Sequence, residues 1–191
     1  MSLNTNWILK MLRENMDIEK FEMPLPLEKI TQNIFESLSE KKAAQFFADI
    51  PDAIGVDGKD LSLVHWQFLR DTLLRLPEIT EEIQTVVDGM SLLAEGKKWS
   101  NDEARAANAA AVAKARATFY ATRHSAYAAA YAANAAYADA SAAAIAALYA
   151  VYGPYAAARA AAGSSVAERN KQAQSIIKLL KDAPIGEANA D

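Results

Sequence analysis

The feature that most constrains this chain is a run of alanine punctuated by tyrosine, YAAAYAANAAYADASAAAIAALYAVYGPY. It extends from Tyr127 to Tyr155 with Asp139 as its one charge. Roughly half of the residues from Ala104 to Ala162 are alanine, the best helix former, so this region is predicted to be helical. Unbroken from Asn101 to Tyr152, such a helix would measure about 75–80 Å at about 1.5 Å per residue. That is too long for a compact domain of 191 residues. A fold-back is therefore expected around Thr118–Ser125, where β-branched, aromatic and cap-type residues cluster. Gly153-Pro154 is the first strong breaker.

On a helical wheel Tyr120, Tyr127, Tyr131, Ile145, Tyr149 and Tyr152 fall within about 40° of one direction. Asp139, Lys114, Thr118 and Thr122 lie away from that stripe. An alanine face lets a neighbouring helix approach closer than the usual interaxial distance of about 8–10 Å. Tyrosine brings apolar area and a hydroxyl that needs a partner or water. The expectation is a tightly packed seam, with the tyrosines filling gaps against the protein's own N-terminal helices. A membrane span fits poorly. The charge-free stretch Ala140 to Ala158 has Gly-Pro inside it, alanine instead of leucine or valine, and no flanking basic cluster. An ice-binding face is excluded by the near absence of threonine and by the bulky tyrosines.

The first half has ordinary amphipathic patterning. Trp7, Ile8, Met11 and Leu12 share a face, and Met23-Pro24-Leu25-Pro26 breaks that element. A second stripe follows in Leu27, Ile30, Ile34, Phe35 and Leu38, then a helix from Glu40 to Ile50. That helix is capped by Ser39, closed by Pro51, and turns Phe46 and Phe47 inward. The segment PDAIGVDGKD is a loop, with Asp60 able to cap a helix bearing Leu61, Val64, Phe68, Leu69 and Leu73. Pro77 opens another, carrying Ile79, Ile83, Val86, Val87, Met90 and Leu93, with Gly96 as its stop. Ser100-Asn101-Asp102-Glu103 is a capping-box signature, and Ser165-Val166-Ala167-Glu168 is a second. The latter opens a terminal helix with Val166, Ala173, Ile176, Ile177 and Leu180 inward and Lys171, Lys178 and Lys181 outward. No run alternates at period two for long enough to be a strand. The fold class expected is an all-α multi-helix bundle with long, closely packed Ala/Tyr-rich helices. Residues 1–96 supply amphipathic helices, residues 97–183 an alanine-rich hairpin and C-terminal helix packed on them as one domain, and residues 184–191 a flexible tail.

A formal net charge of −4 and a pI of about 5.3 argue against general nucleic-acid binding. The chain has no cysteine, which removes disulfides, thiolate catalysis and cysteine-based metal sites. The N-terminus lacks the pattern of a signal peptide, so a cytoplasmic location is expected. His65 and His124 are the two histidines, with no H-x-x-x-H or E-x-x-H pairing, and no cofactor or metal is assigned. His65 reads as a structural group. His124 lies beside the tyrosine stripe, where a His–Tyr cluster could move a proton; a histidine hydrogen-bonded to a tyrosine at a helix turn is the plainer reading. No catalytic motif is present, and the chain is read as non-enzymatic.

Arg105, Arg116, Arg123 and Arg159 project near the stripe and would form an Arg–Tyr band of the kind enriched at protein interfaces. The plainer reading keeps them as solvated residues bordering a buried seam. Arg116, Tyr120, Arg123, His124, Tyr127 and Tyr131 are the candidate interface.

The series Glu95-Gly96-Lys97-Lys98-Trp99-Ser100-Asn101-Asp102-Glu103-Ala104-Arg105-Ala106-Ala107, the Ala–Tyr repeats, and Ala167-Glu168-Arg169-Asn170-Lys171-Gln172-Ala173 resemble a known group. They look like the alanine-rich immunity-protein helical domains of bacteria and phages, over roughly residues 83–181. What the resemblance implies is a small protein that neutralises a partner, such as a toxin or host factor, by binding it. It carries no catalytic residues across. The alternative is a self-assembling component, for instance of a phage particle, that uses the Ala–Tyr helix as its homo-oligomer seam.

Overall fold

The computed structural model describes residues 23–55, 59–162 and 165–185. The stripe of Trp7, Ile8, Met11 and Leu12 lies outside the described residues, as do Asp57 and Gly58 of the expected loop. Among the described residues there are eight helices and no strand. They are α1 (Leu25–Ser37), α2 (Glu40–Ile54), α3 (Val64–Leu74) and α4 (Glu81–Ala94), then α5 (Asn101–Ala117), α6 (Tyr120–Tyr137), α7 (Ala140–Ala162) and α8 (Ser165–Asp182).

Local chemistry sets most boundaries. Ser100 accepts from the Glu103 amide while the Glu103 carboxylate accepts from the Ser100 amide, closing the capping box at the start of α5. The Ser100 side chain and amide together hold the Glu103 carboxyl below the usual range. Gly96, at φ 71°, ends α4. Its amide reaches Leu93 O and that of Lys97 reaches Leu92 O, a Schellman pair. Ser39 holds the N-cap position of α2 without a side-chain capping bond. Pro51 does not close this helix but lies inside it. Gly55, at φ 69°, ends the helix instead. Pro77 likewise precedes its helix by a short turn, α4 being capped at Thr80, and Ile79 is exposed. Asp60 binds the Ser62 amide at 2.9 Å in a local turn, and α3 begins only at Val64.

The alanine-rich part folds back twice. α5 ends at Thr118, within the expected zone, and α6 ends at Ala138. The second reversal belongs to Asp139, whose carboxylate accepts from the amides of Ser141 and Ala142 at 3.0 and 2.9 Å and so caps α7. Gly153-Pro154 does not break the chain, because both lie inside the 23-residue α7. Pro154 cannot donate to the carbonyl four residues earlier, that of Ala150. In that turn the Val151 carbonyl accepts from the buried Gln172 amide of α8 at 3.1 Å.

One cluster of buried residues joins the two halves. Ile30 and Ile34, Phe68, Leu69 and Leu73, Ile83, Val86 and Met90, and Ile176 and Leu180 continue into alanines of α5, α6 and α7. α7 packs on α1, and α6 lies between α5 and α7 while also meeting α4. Asn108 of α5 donates to the Ala130 carbonyl of α6 at 2.6 Å, tying those neighbours together. In α8 Ile176 and Leu180 point inward as expected, whereas Val166 is exposed. Glu168 is buried and ion-paired with Arg75 of the turn after α3 at 3.4 Å. The C-terminal residues 184 and 185 are pinned: Pro184 O accepts from the Asp60 amide, and Ile185 bridges to Lys59. The remaining residues of the expected flexible tail lie outside the described residues.

Candidate functional site

Alanine, not tyrosine, forms the seam. On α6, Ala126, Ala128, Ala129, Ala130, Ala132, Ala133 and Ala135 are buried, and on α7 Ala143, Ala144, Ala146, Ala147 and Ala150. The tyrosines stand on the opposite side: Tyr131 is 36% exposed, Tyr149 50% and Tyr152 49%, and Ile145 beside them is 55% exposed. The expectation that this stripe packs against the N-terminal helices is therefore corrected. Of the residues on it whose side chains are described, Tyr131, Ile145, Tyr149 and Tyr152 are turned outward. Small side chains allow backbones to approach and pack densely, which tyrosines wedged between the helices would prevent.

Two rows of aromatic side chains define a shallow cleft of about 180 Å³ between α6 and α7. His124, Tyr127 and Tyr131 line it from α6, Tyr149 and Tyr152 from α7, and Ala128 and Gly153 lie at the crossing of the helices. Tyr131 and Tyr149 stack across it, ring centroids 5.0 Å apart at 29°. An ideal Cβ on Gly153 would sit 2.3 Å from Ala128 Cβ and 3.0 Å from the His124 carbonyl oxygen. Glycine is what brings the two aromatic rows this close. Beneath Tyr152, the guanidinium of the buried Arg169 lies 5.9 Å from the ring centroid and donates to Gln172 at 2.8 Å.

The structure gathers His124, Tyr127 and Tyr131, three of the six candidate interface residues, and places Arg116 and Arg123 elsewhere. Arg123 donates from Nε to the Thr118 carbonyl at 2.9 Å and lies 5.2 Å from the Phe119 ring centroid, so it braces the α5–α6 turn. Arg116 is exposed near the end of α5 and does not line the cleft. The side chain of Tyr120 lies outside the described residues, as does that of Arg159. Of the expected arginine band, Arg105 lies over Tyr137 at 5.0 Å and Arg123 over Phe119, so these two do not form one continuous row. Tyr149, Tyr152 and Gly153 were missing from the candidate set. The signal for them was Asp139: a cap there turns the chain so that Tyr149 comes to lie opposite Tyr131.

His65 is a core residue. It packs on Trp66 at 4.2 Å, and burial pushes its pKa down to about 4. Among the described residues no cluster of His, Asp or Glu could hold a metal ion, and no helix is long and apolar enough to cross a membrane. The chain matches no family model, no curated protein and no solved structure.

Proposed function

We propose that this protein is a non-enzymatic binding protein that engages a partner protein through the tyrosine face of α6 and α7. The observation that supports this is the exposure of Tyr131, Ile145, Tyr149 and Tyr152 on a surface with almost no charge. From Ser125 to Ala158 the one charged residue is Asp139, at the far end of the hairpin. The fully buried centres of protein interfaces are depleted of charge and enriched in tyrosine, and exposed apolar patches mark such sites. The resemblance to immunity domains adds a role for the binding, the neutralisation of a toxin or host factor of bacterial or phage origin. That role places the protein in the cytoplasm, where such a partner acts.

A second reading is self-assembly. The same uncharged face would meet no like-charge repulsion against its own copy. Affinity capture from cells that make the protein, with wild type beside a Tyr131→Ala/Tyr149→Ala variant, tests the first reading. The expected result is one discrete partner retained by wild type and lost by the variant. Light scattering over a concentration series separates the readings: large homo-oligomers that the variant abolishes, with no partner captured, would overturn the first in favour of the second.

A further inference from the structure

We propose that the α6–α7 cleft takes a proline-rich segment of its partner in the polyproline II conformation. This rests on the binding reading above and names what is bound. The cleft offers aromatic faces and hydroxyl donors, and among the described residues no carboxylate, lysine or arginine lines it. Among the described residues, no protein group hydrogen-bonds the hydroxyls of Tyr127, Tyr131 or Tyr149. A polyproline II chain matches that inventory. It has no internal hydrogen bonds, so its carbonyls are free to accept, and its proline rings are held ready to pack on aromatic surfaces. Proline-rich segments dock in aromatic-lined grooves for this reason, at low entropic cost.

The dimensions agree. From His124 to Tyr131 the helix rises about 10 Å at about 1.5 Å per residue. One polyproline II turn of three residues spans about 9 Å. At about 180 Å³ the cleft is smaller than the roughly 300–1,000 Å³ of sites that enclose a drug-sized ligand. A chain laid across its rings fits better than an enclosed molecule.

Charge decides against the other ligand that aromatic clusters favour, an organic cation. A cation site would gain from a carboxylate, and the lining has none. Arg169 already lies against Tyr152. A second cation there would be repelled by it.

Calorimetric titration with decaproline tests the proposal, with a Gly-Ser decapeptide and tetramethylammonium chloride as the comparison probes. Decaproline should bind saturably while the other two do not. Tyr149→Ala should weaken it about ten-fold, as for a central aromatic contact. Tyr149→Phe, which keeps the ring and loses the hydroxyl, should weaken it less. Tyr137→Ala, outside the cleft, should change it less than two-fold, and circular dichroism would show that each variant is folded. No saturable binding through about 1 mM, equal binding of the Gly-Ser peptide, or displacement by tetramethylammonium would each overturn the proposal. So would sedimentation showing that a second copy fills the cleft. If a captured partner still depends on Tyr131 and Tyr149 while decaproline fails, the proline inference falls and the protein-binding reading stands.

Discussion

Gly153 of α7 crosses Ala128 of α6 so closely that a Cβ on the glycine would lie 2.3 Å from the alanine's own. This contact sets the distance between the two helices, and with it the distance between the rows of tyrosine above. Glycine in a helix interior costs about 1 kcal/mol relative to alanine, so its presence within α7 calls for a local reason. The reason is steric, and the same contact shapes the outward face.

Gly153→Ala should therefore destabilise the protein despite raising helix propensity. Overpacking costs about 1–3 kcal/mol and the propensity gain returns about 1, leaving a net loss of up to about 2 kcal/mol. The larger Gly153→Val should lose more. Urea midpoints measure both, and an unchanged or raised midpoint for Gly153→Ala would show that the helices separate freely. A wider cleft should also break the Tyr131–Tyr149 stack, now at 5.0 Å.

Asp139→Ala should lower stability by about 0.5–2 kcal/mol, the usual cost of losing an N-cap. Asp139→Asn should keep most of it, because the amide oxygen can still accept from Ser141 and Ala142. Equal losses for the two variants would mean that the carboxylate's charge at the start of α7, and not its hydrogen bonding, carries the effect.

Signals that act within one turn of a helix were legible in the sequence. Ser100 and Glu103, the stop at Gly96, and the stripe of Leu27, Ile30 and Ile34 all appear where the residues placed them. The tyrosine wheel grouped Tyr127, Tyr131, Tyr149 and Tyr152, which do line one cleft, and then assigned that face to the wrong side. Ranking residues by apolar area puts tyrosine ahead of alanine. Between closely packed helices the ranking reverses, because the small residue decides how near the partner comes. Pro51 and Pro154 were read as stops because a proline's missing donor is visible in sequence. That a helix can continue through it depends on the packing around that turn, where Gln172 reaches the neighbouring Val151 carbonyl from far along the chain. Tyr149 and Tyr152 required knowing that Asp139 turns the chain, and a lone acid among alanines reads first as a solvated charge.

Lys59 is a small residue-level hub whose removal should be felt at a distance. Its ammonium donates to Ala53 O at 2.9 Å, Leu180 O at 3.0 Å and Lys181 O at 2.6 Å. It thus serves the C-terminal ends of both α2 and α8, where unsatisfied carbonyls and the negative end of each helix dipole favour a cation. Lys59→Met keeps the apolar stem and should cost about 1–3 kcal/mol. Hydrogen exchange should speed up in the last turns of α2 and α8 together. Faster exchange in one helix alone would mean that the lysine does not couple them.

His65 makes stability depend on pH in a stated direction. Burial lowers its pKa from 6.5 to about 4 in the folded protein. Between those values the unfolded chain binds more protons than the folded one, so stability rises with pH across the window. The contribution is complete above about pH 6.5 and is lost as pH falls through about 4, amounting to about 3 kcal/mol at about 1.4 kcal/mol per pH unit. Carboxylates with lowered pKa, Glu82 and Glu103 among them, also contribute stability that is lost as the pH falls. A comparison of wild type with His65→Phe separates the two sources. Urea midpoints from pH 7 to pH 4 should fall more steeply for wild type, and parallel curves would show that the imidazole is protonated without leaving the core.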